Sequence, residues 1–161
     1  MSESAFVRSG VRALVIDTED RVLLVRFELP GGDYWTAPGG GIESGESDHA
    51  ALERELAEET GLVGPTIGPL LWSRLETFPN EPTYAAQEER FFLVRTEPFH
   101  PRPQLSWEEL HQEFVTAVRW WRPEELARAD VLFAPRELAR LAIEIIASGP
   151  PPAPLDLGTE S

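Results

Sequence analysis

Residues 38–62 read PGGGIESGESDHAALERELAEETGL. Three glycines in a row are followed by seven acidic residues in the nineteen positions 42–60, four of them (Glu53, Glu55, Glu58, Glu59) within one seven-residue stretch. Ser47 has the character of a helix N-cap and Gly61 of a C-terminal stop, so a helix is expected over Asp48–Thr60. Spacings of three and four residues put Glu55, Glu58 and Glu59 on one face, with Leu52 and Leu56 beside them to anchor the helix on a sheet. Like charges at these spacings repel by a few tenths of a kcal/mol per pair in an isolated helix. A divalent cation reverses that sign. An oxygen-rich cluster without Cys or His suits magnesium or manganese rather than zinc. Glu58 and Glu59 also sit at the negative end of the helix dipole, which favours a cation. Gly39–Gly41 permit a tight turn through which backbone oxygens approach an ion or phosphates.

Outward from this stretch, Val11–Asp17 and Arg21–Phe27 are rich in Val and Leu and flank the turn Thr18–Asp20, which predicts a strand hairpin. Glu28–Asp33 (ELPGGD) is expected as a loop and Tyr34–Ala37 as a short strand entering the glycines. Further strands are expected within Ile67–Phe78, at Arg90–Arg95 and at Phe114–Trp121, with a mobile connection over Pro79–Gln87. Short and long helices are expected at Glu124–Arg128 and from Pro135 to Ser148. Residues 1–148 then make one domain, and the Pro-rich segment 149–161 is expected to be disordered. Hairpins outnumber crossovers, giving an α/β fold with a mixed β-sheet and helices on its faces.

The 161 residues suffice for one domain with a core, and a hydrophobic content of 42% argues for a globular chain. No apolar run approaches the roughly 20 residues of a membrane span. The N-terminal residues lack an export pattern and cysteine is absent, so a cytoplasmic protein is expected. A net charge of −14 argues against binding duplex nucleic acid. All 14 basic residues are arginine, so a cationic grip on phosphate falls to arginine, a metal ion or backbone N–H groups.

Gly40, five residues, Glu46, seven residues, Arg54-Glu55-Leu56, one residue, Glu58-Glu59, one residue and Gly61-Leu62 together resemble the Nudix box at all nine fixed positions. The preceding hairpin and the later WWRPEEL also look like Nudix proteins. The resemblance implies an α/β/α sandwich that hydrolyses a nucleoside diphosphate linked to another group, a small-molecule nucleotide, with Mg2+ or Mn2+. It implies that Glu55, Glu58, Glu59 and the Gly39 carbonyl bind metal, that Arg54 orients a metal-binding glutamate, that Glu46 supports the loop, and that Gly45 and Gly61 are structural. In such enzymes the base that activates the attacking water often lies outside the box. Glu113 leads here, as a further metal-binding or catalytic residue, followed by Glu109 and Glu108, then Glu88 and Glu89. Tyr34 and Trp35, with Gly40 and Gly41, are candidate substrate contacts. Trp120 and Trp121 point to opposite faces of a strand, so at most one can line the pocket.

The substrate stays open. Pro38-Gly39-Gly40 resembles the nucleoside-triphosphate and dinucleoside-polyphosphate branches. Gly41 stands where oxidised-nucleotide sanitisers often carry lysine, and Pro79 resembles ADP-ribose enzymes. The alternatives are a non-catalytic nucleotide sensor on the same fold and an RNA 5′ pyrophosphohydrolase. Nudix relatives are often homodimers.

Overall fold

The computed structural model describes residues 6–77 and 85–160. In chain order the elements are β1 (Val7–Asp17), β2 (Val22–Leu29), β3 (Gly32–Thr36), β4 (Gly39–Gly41), α1 (Asp48–Thr60), β5 (Ile67–Thr77), β6 (Ala86–Thr96), α2 (Trp107–Gln112), β7 (Val115–Trp121), α3 (Pro123–Arg128), β8 (Phe133–Ala134), α4 (Leu138–Ser148) and β9 (Leu155–Glu160). The strands form one mixed sheet in the order β8-β3-β2-β1-β6-β5-β9, with β4 paired to β1 and β7 to β2. β1 runs parallel to β6 and antiparallel to β2 and β4.

β1 shows why the sheet is covered on both faces. Side chains alternate along a strand. Leu14 and Ile16 join Trp35, Trp72, Phe91 and the α4 residues Leu138, Leu141 and Ile145. Val11, Ala13 and Val15 join Ala51, Leu52 and Leu56 of α1 with Phe92 and Val94. Fully burying a Leu side chain is worth about 1.5–3 kcal/mol, so Leu52 and Leu56, both without exposure, fix α1 on the sheet. The result is the expected α/β/α sandwich.

The Asp48–Thr60 helix forms with the expected caps. Ser47 Oγ accepts from the Ala50 N–H, and Gly61 adopts the left-handed conformation at φ 81° while donating to Ala57 O. The Thr18–Asp20 turn is tied by Asp17 Oδ1, which accepts from the Glu19 and Arg21 amides.

Three expectations change and one element was not expected. Glu28–Asp33 is no open loop: β2 and β3 pair through Leu29↔Gly32, because only Pro30 and Gly31 are needed to turn the chain. α2 escapes notice in the sequence because it has only six residues, too few for a periodic signal, although Ser106 and Glu109 form a reciprocal capping box. Most of Pro79–Gln87 lies outside the described residues, and Ala86 and Gln87 begin β6. The disorder expected over 149–161 gives way to β9, parallel to β5. The prolines end at Pro154, so Leu155–Glu160 is free to pair, and Leu157 packs against the α4-side core. Thr77 Oγ1 donates to the Glu160 carbonyl, and Arg74 Nη1 donates to Glu160 Oε1 at 3.1 Å. Among the described residues no helix is long and apolar enough to cross a membrane.

Candidate active site

α1 and β4 meet at the glycine triplet. Glu59 is fully buried, and its Oε1 accepts from the Gly39 N–H at 2.9 Å. Gly40 lies directly over Glu55: a β-carbon there would stand 2.5 Å from Glu55 Oε1. A β-carbon at Gly41 would collide with the Arg8 guanidinium, and one at Gly39 with the β1 backbone. The triplet is therefore a close-approach surface between β1, α1 and Arg8; glycine is demanded at Gly39, where φ is 154° and the β1 backbone stands in the way, while a side chain at Gly40 or Gly41 would have to displace the Glu55 carboxylate or the Arg8 guanidinium.

Beside it opens a cavity of about 460 Å³. Glu55, Glu59 and Glu113 line it together with Phe27, Tyr34 and Glu76. Burial pushes the Glu55 carboxyl up; Arg54 opposes, and Glu58 and Glu113 push it further. Burial and then the neighbouring Glu55 hold Glu59 well above the usual carboxylate range, against the pull of Arg12 and the Gly39 N–H. Burial and Glu58 raise Glu113 as well. Three carboxyls that resist ionisation in one cavity are poised to gain from a cation.

Arg54 organises the acids around them. Its Nε and Nη2 donate to Glu46 at 2.8 and 3.0 Å, Nη2 also to the Gly41 carbonyl at 3.1 Å, and Nη1 to Glu55 at 3.0 Å and Glu58 at 3.4 Å. The Arg54 hydrogen bonds, helped by the Glu43 N–H, bring the Glu46 carboxyl down to about 2. A lysine would present a single cationic centre in place of this planar fork. Arg54→Lys is expected to leave a folded protein, by circular dichroism, with activity lowered by about 10–100-fold. An unchanged rate would deny Arg54 its orienting role.

The sequence-selected residues thus divide. Glu55, Glu59, Glu113, Gly39, Gly40, Gly41 and Tyr34 share the cavity, and Glu58 lies beside it on Arg54. Trp35 does not share it. It is buried on the α4 side, edge-on to Trp121 at 5.1 Å, because its neighbour Tyr34 takes the opposite face of β3. Trp121 is likewise core, and Trp120 donates from Nε1 to Phe99 O. Of the other base candidates, Glu109 caps α2, Glu88 pairs with Arg90, and Glu89 is locked between Arg12 and Arg74. The end of α1 offers a cation less than an open helix terminus would, since the Arg102, Gln104 and Leu105 amides already cover the Thr60, Ala57 and Glu58 carbonyls. Sequence reasoning missed Glu76 and Gln87 in the cavity wall; only the β5–β6 pairing brings them there.

Among the described residues, no group of three or more acidic or histidine side chains is gathered closely enough to hold an ion as it stands. The chemistry of the donors nonetheless fits a hard cation. They are all oxygens, and Glu55 and Glu59 are buried like charges that an ion would neutralise.

Residues 7–142 match the NUDIX domain family. An RNA pyrophosphohydrolase of Sphingopyxis alaskensis is 34% identical over 143 residues, covering 81% of this chain and 87% of that protein. Nudix hydrolase 25 of Arabidopsis thaliana is 30% identical, covering 77% of each. The crystal structure of a MutT Nudix hydrolase from Burkholderia pseudomallei shares the fold with a TM-score of 0.63 at 21% identity, over 86% of this chain and 97% of that one. The NUDIX domain of Shewanella oneidensis NrtR, solved with ADP ribose, shares it with a TM-score of 0.64 at 22% identity, over 89% of each chain. With its glutamate-lined cavity under the glycine triplet, the chain belongs to the NUDIX domain family and is a Nudix hydrolase.

Proposed function

We propose that this hydrolase cleaves the diphosphate of a nucleoside diphosphate linked to another group, by attack of water on phosphorus, with Mg2+ or Mn2+. The observation that carries the reading is the meeting of Glu55, Glu59 and Glu113 in one cavity beside Gly39–Gly41. Glu55, Glu58 and Glu59, with Glu113 and the Gly39 carbonyl, would hold the ion. Bound there, it would neutralise phosphate charge and polarise the phosphorus. Arg54 keeps Glu55 and Glu58 oriented. Glu113, which shares the cavity with Glu55 and Glu59, is the carboxylate that accepts the proton from the attacking water. The Phe27–Tyr34 stack, with ring centroids 5.4 Å apart, offers a base an apolar wall. A non-catalytic sensor is disfavoured because every box carboxylate is retained.

The test is product analysis at about pH 8–9 with Mg2+ or Mn2+, reading the nucleoside monophosphate and its partner product (pyrophosphate, sugar phosphate or a second nucleotide) from nucleoside triphosphates, ADP-ribose, diadenosine polyphosphates and nucleotide sugars. A metal-dependent product from one class is expected. Silence across the panel from a folded protein that binds metal would overturn the reading. A 5′-triphosphorylated oligonucleotide belongs beside them, because the Sphingopyxis alaskensis relative is an RNA pyrophosphohydrolase. The charge of −14 favours the free nucleotide over the oligonucleotide.

A further inference from the structure

β9 lies beyond residues 7–142 that match the family, yet its last described residue is linked through Arg74 to Glu76 in the wall of the cavity. Glu160 stands opposite Glu76 in the β5–β9 register. Arg74 joins them, with Nη1 donating to Glu160 Oε1 and Nη2 to Glu76 Oε2, both at 3.1 Å. The Arg136 N–H adds a 3.3 Å contact to the other Glu160 oxygen. Arg74 is almost wholly buried and Glu160 partly so, which anchors the pair on its Arg74 side. Glu76 in turn lines the cavity with Phe27, Tyr34 and Gln87.

A carboxylate accepts about four hydrogen bonds, so the one from Arg74 leaves Glu76 capacity for a ligand. No phosphate would be drawn to that carboxylate, whereas the N–H edge of a base would. Guanine presents two adjacent N–H donors on one edge; adenine, cytosine and uracil do not. We propose that Glu76 reads the N–H edge of a guanine base resting on the Phe27–Tyr34 wall, and that Glu160, through Arg74, is the positioning residue that aims it. This deepens the proposed function and rests on the cavity holding a nucleotide.

The experiment compares GTP, ATP, UTP and CTP in the full chain and in the Glu76→Gln, Glu160→Gln and Glu160→Asp variants. Calorimetric binding of GMP and AMP supplies a readout that needs no turnover. Guanine is expected to be preferred by about tenfold or more, the discrimination of one charged hydrogen bond. Glu76→Gln should erase that preference, mainly through KM. Glu160→Gln should raise KM for GTP more than it lowers kcat, with Glu160→Asp restoring part of the loss. A fall in melting temperature with KM for GTP unmoved would make Glu160 merely structural and overturn its role. Equal binding of GMP and AMP, or a preference that survives Glu76→Gln, would overturn the base-reading role. If the wild type turns over no nucleotide but binds GMP over AMP through Glu76, the proposed hydrolysis fails and this inference stands.

Discussion

Glu59→Gln is expected to abolish turnover while leaving the fold intact. The amide retains an Oε1 acceptor for the Gly39 N–H, so the 2.9 Å tie between α1 and the glycine turn survives. What disappears is the charge. Glu59 is the most deeply buried of the box carboxylates, and burial with the adjacent Glu55 already makes its ionisation costly. That cost is recovered only if a cation sits beside it. A lost ligand removes several kcal/mol of transition-state stabilisation, and about 4 kcal/mol corresponds to a roughly 1,000-fold slower reaction. Without metal, the variant should melt at or above the wild-type temperature, because a strained carboxyl has been neutralised. Added Mg2+ or Mn2+ should raise the melting temperature of the wild type and not of the variant. Wild-type rates in the variant would remove Glu59 from the metal site.

The parts of this site that sequence makes legible are those written locally. Ser47, the repeating Leu52 and Leu56, and Gly61 define α1 within fifteen residues, and a helix places its three glutamates without knowledge of the rest of the chain. The triple glycine is similarly explicit, since the space it vacates is filled by Glu55 and Arg8. What stays hidden depends on pairing across the sheet. Tyr34 and Trp35 are indistinguishable as neighbours in sequence, but β3 sends one to the cavity and the other to the core. Glu76 enters the cavity from β5 and is tied to Glu160, 84 residues away in the chain, a relation that no local pattern encodes. β9 itself is masked in sequence by the prolines before it, and its pairing depends on β5 offering a free edge. Glu89 shows the same limit in the opposite direction. Its acidity made it a base candidate, but its partners Arg12 and Arg74 lie 77 and 15 residues away.

Those partners make Glu89→Gln the variant with the largest expected loss of stability. Glu89 has no exposure, and its carboxylate accepts from Arg12 Nε at 2.6 Å, Arg74 Nε at 3.0 Å and Gln87 Nε2 at 2.9 Å. One anion thus bridges two almost wholly buried guanidiniums, of which Arg74 also pairs with Glu76 and Glu160. Arginine does not shed its proton to escape burial, so the amide variant strips Arg12 of its paired carboxylate and leaves Arg74 to Glu76 and Glu160 alone. Removing one member of a buried ionic group costs about 3–5 kcal/mol, which for a chain of this size lowers the melting temperature by roughly 10 °C. The pH dependence follows from the sign of the shift. Burial raises the Glu89 carboxyl, but the pull of Arg12 and Arg74 outweighs it, and the folded pKa lies below the ordinary value. The stabilisation is therefore fully present above the unfolded carboxylate range and is lost as pH falls through the lower folded value. Urea denaturation at pH 7 should show the full gap between wild type and variant, and the gap should narrow as pH is taken below about 4. A gap below about 1 kcal/mol at neutral pH would mean that Arg12 finds another partner, that Glu76 and Glu160 suffice for Arg74, and that Glu89 does not hold β1, β5 and β6 together as these contacts indicate.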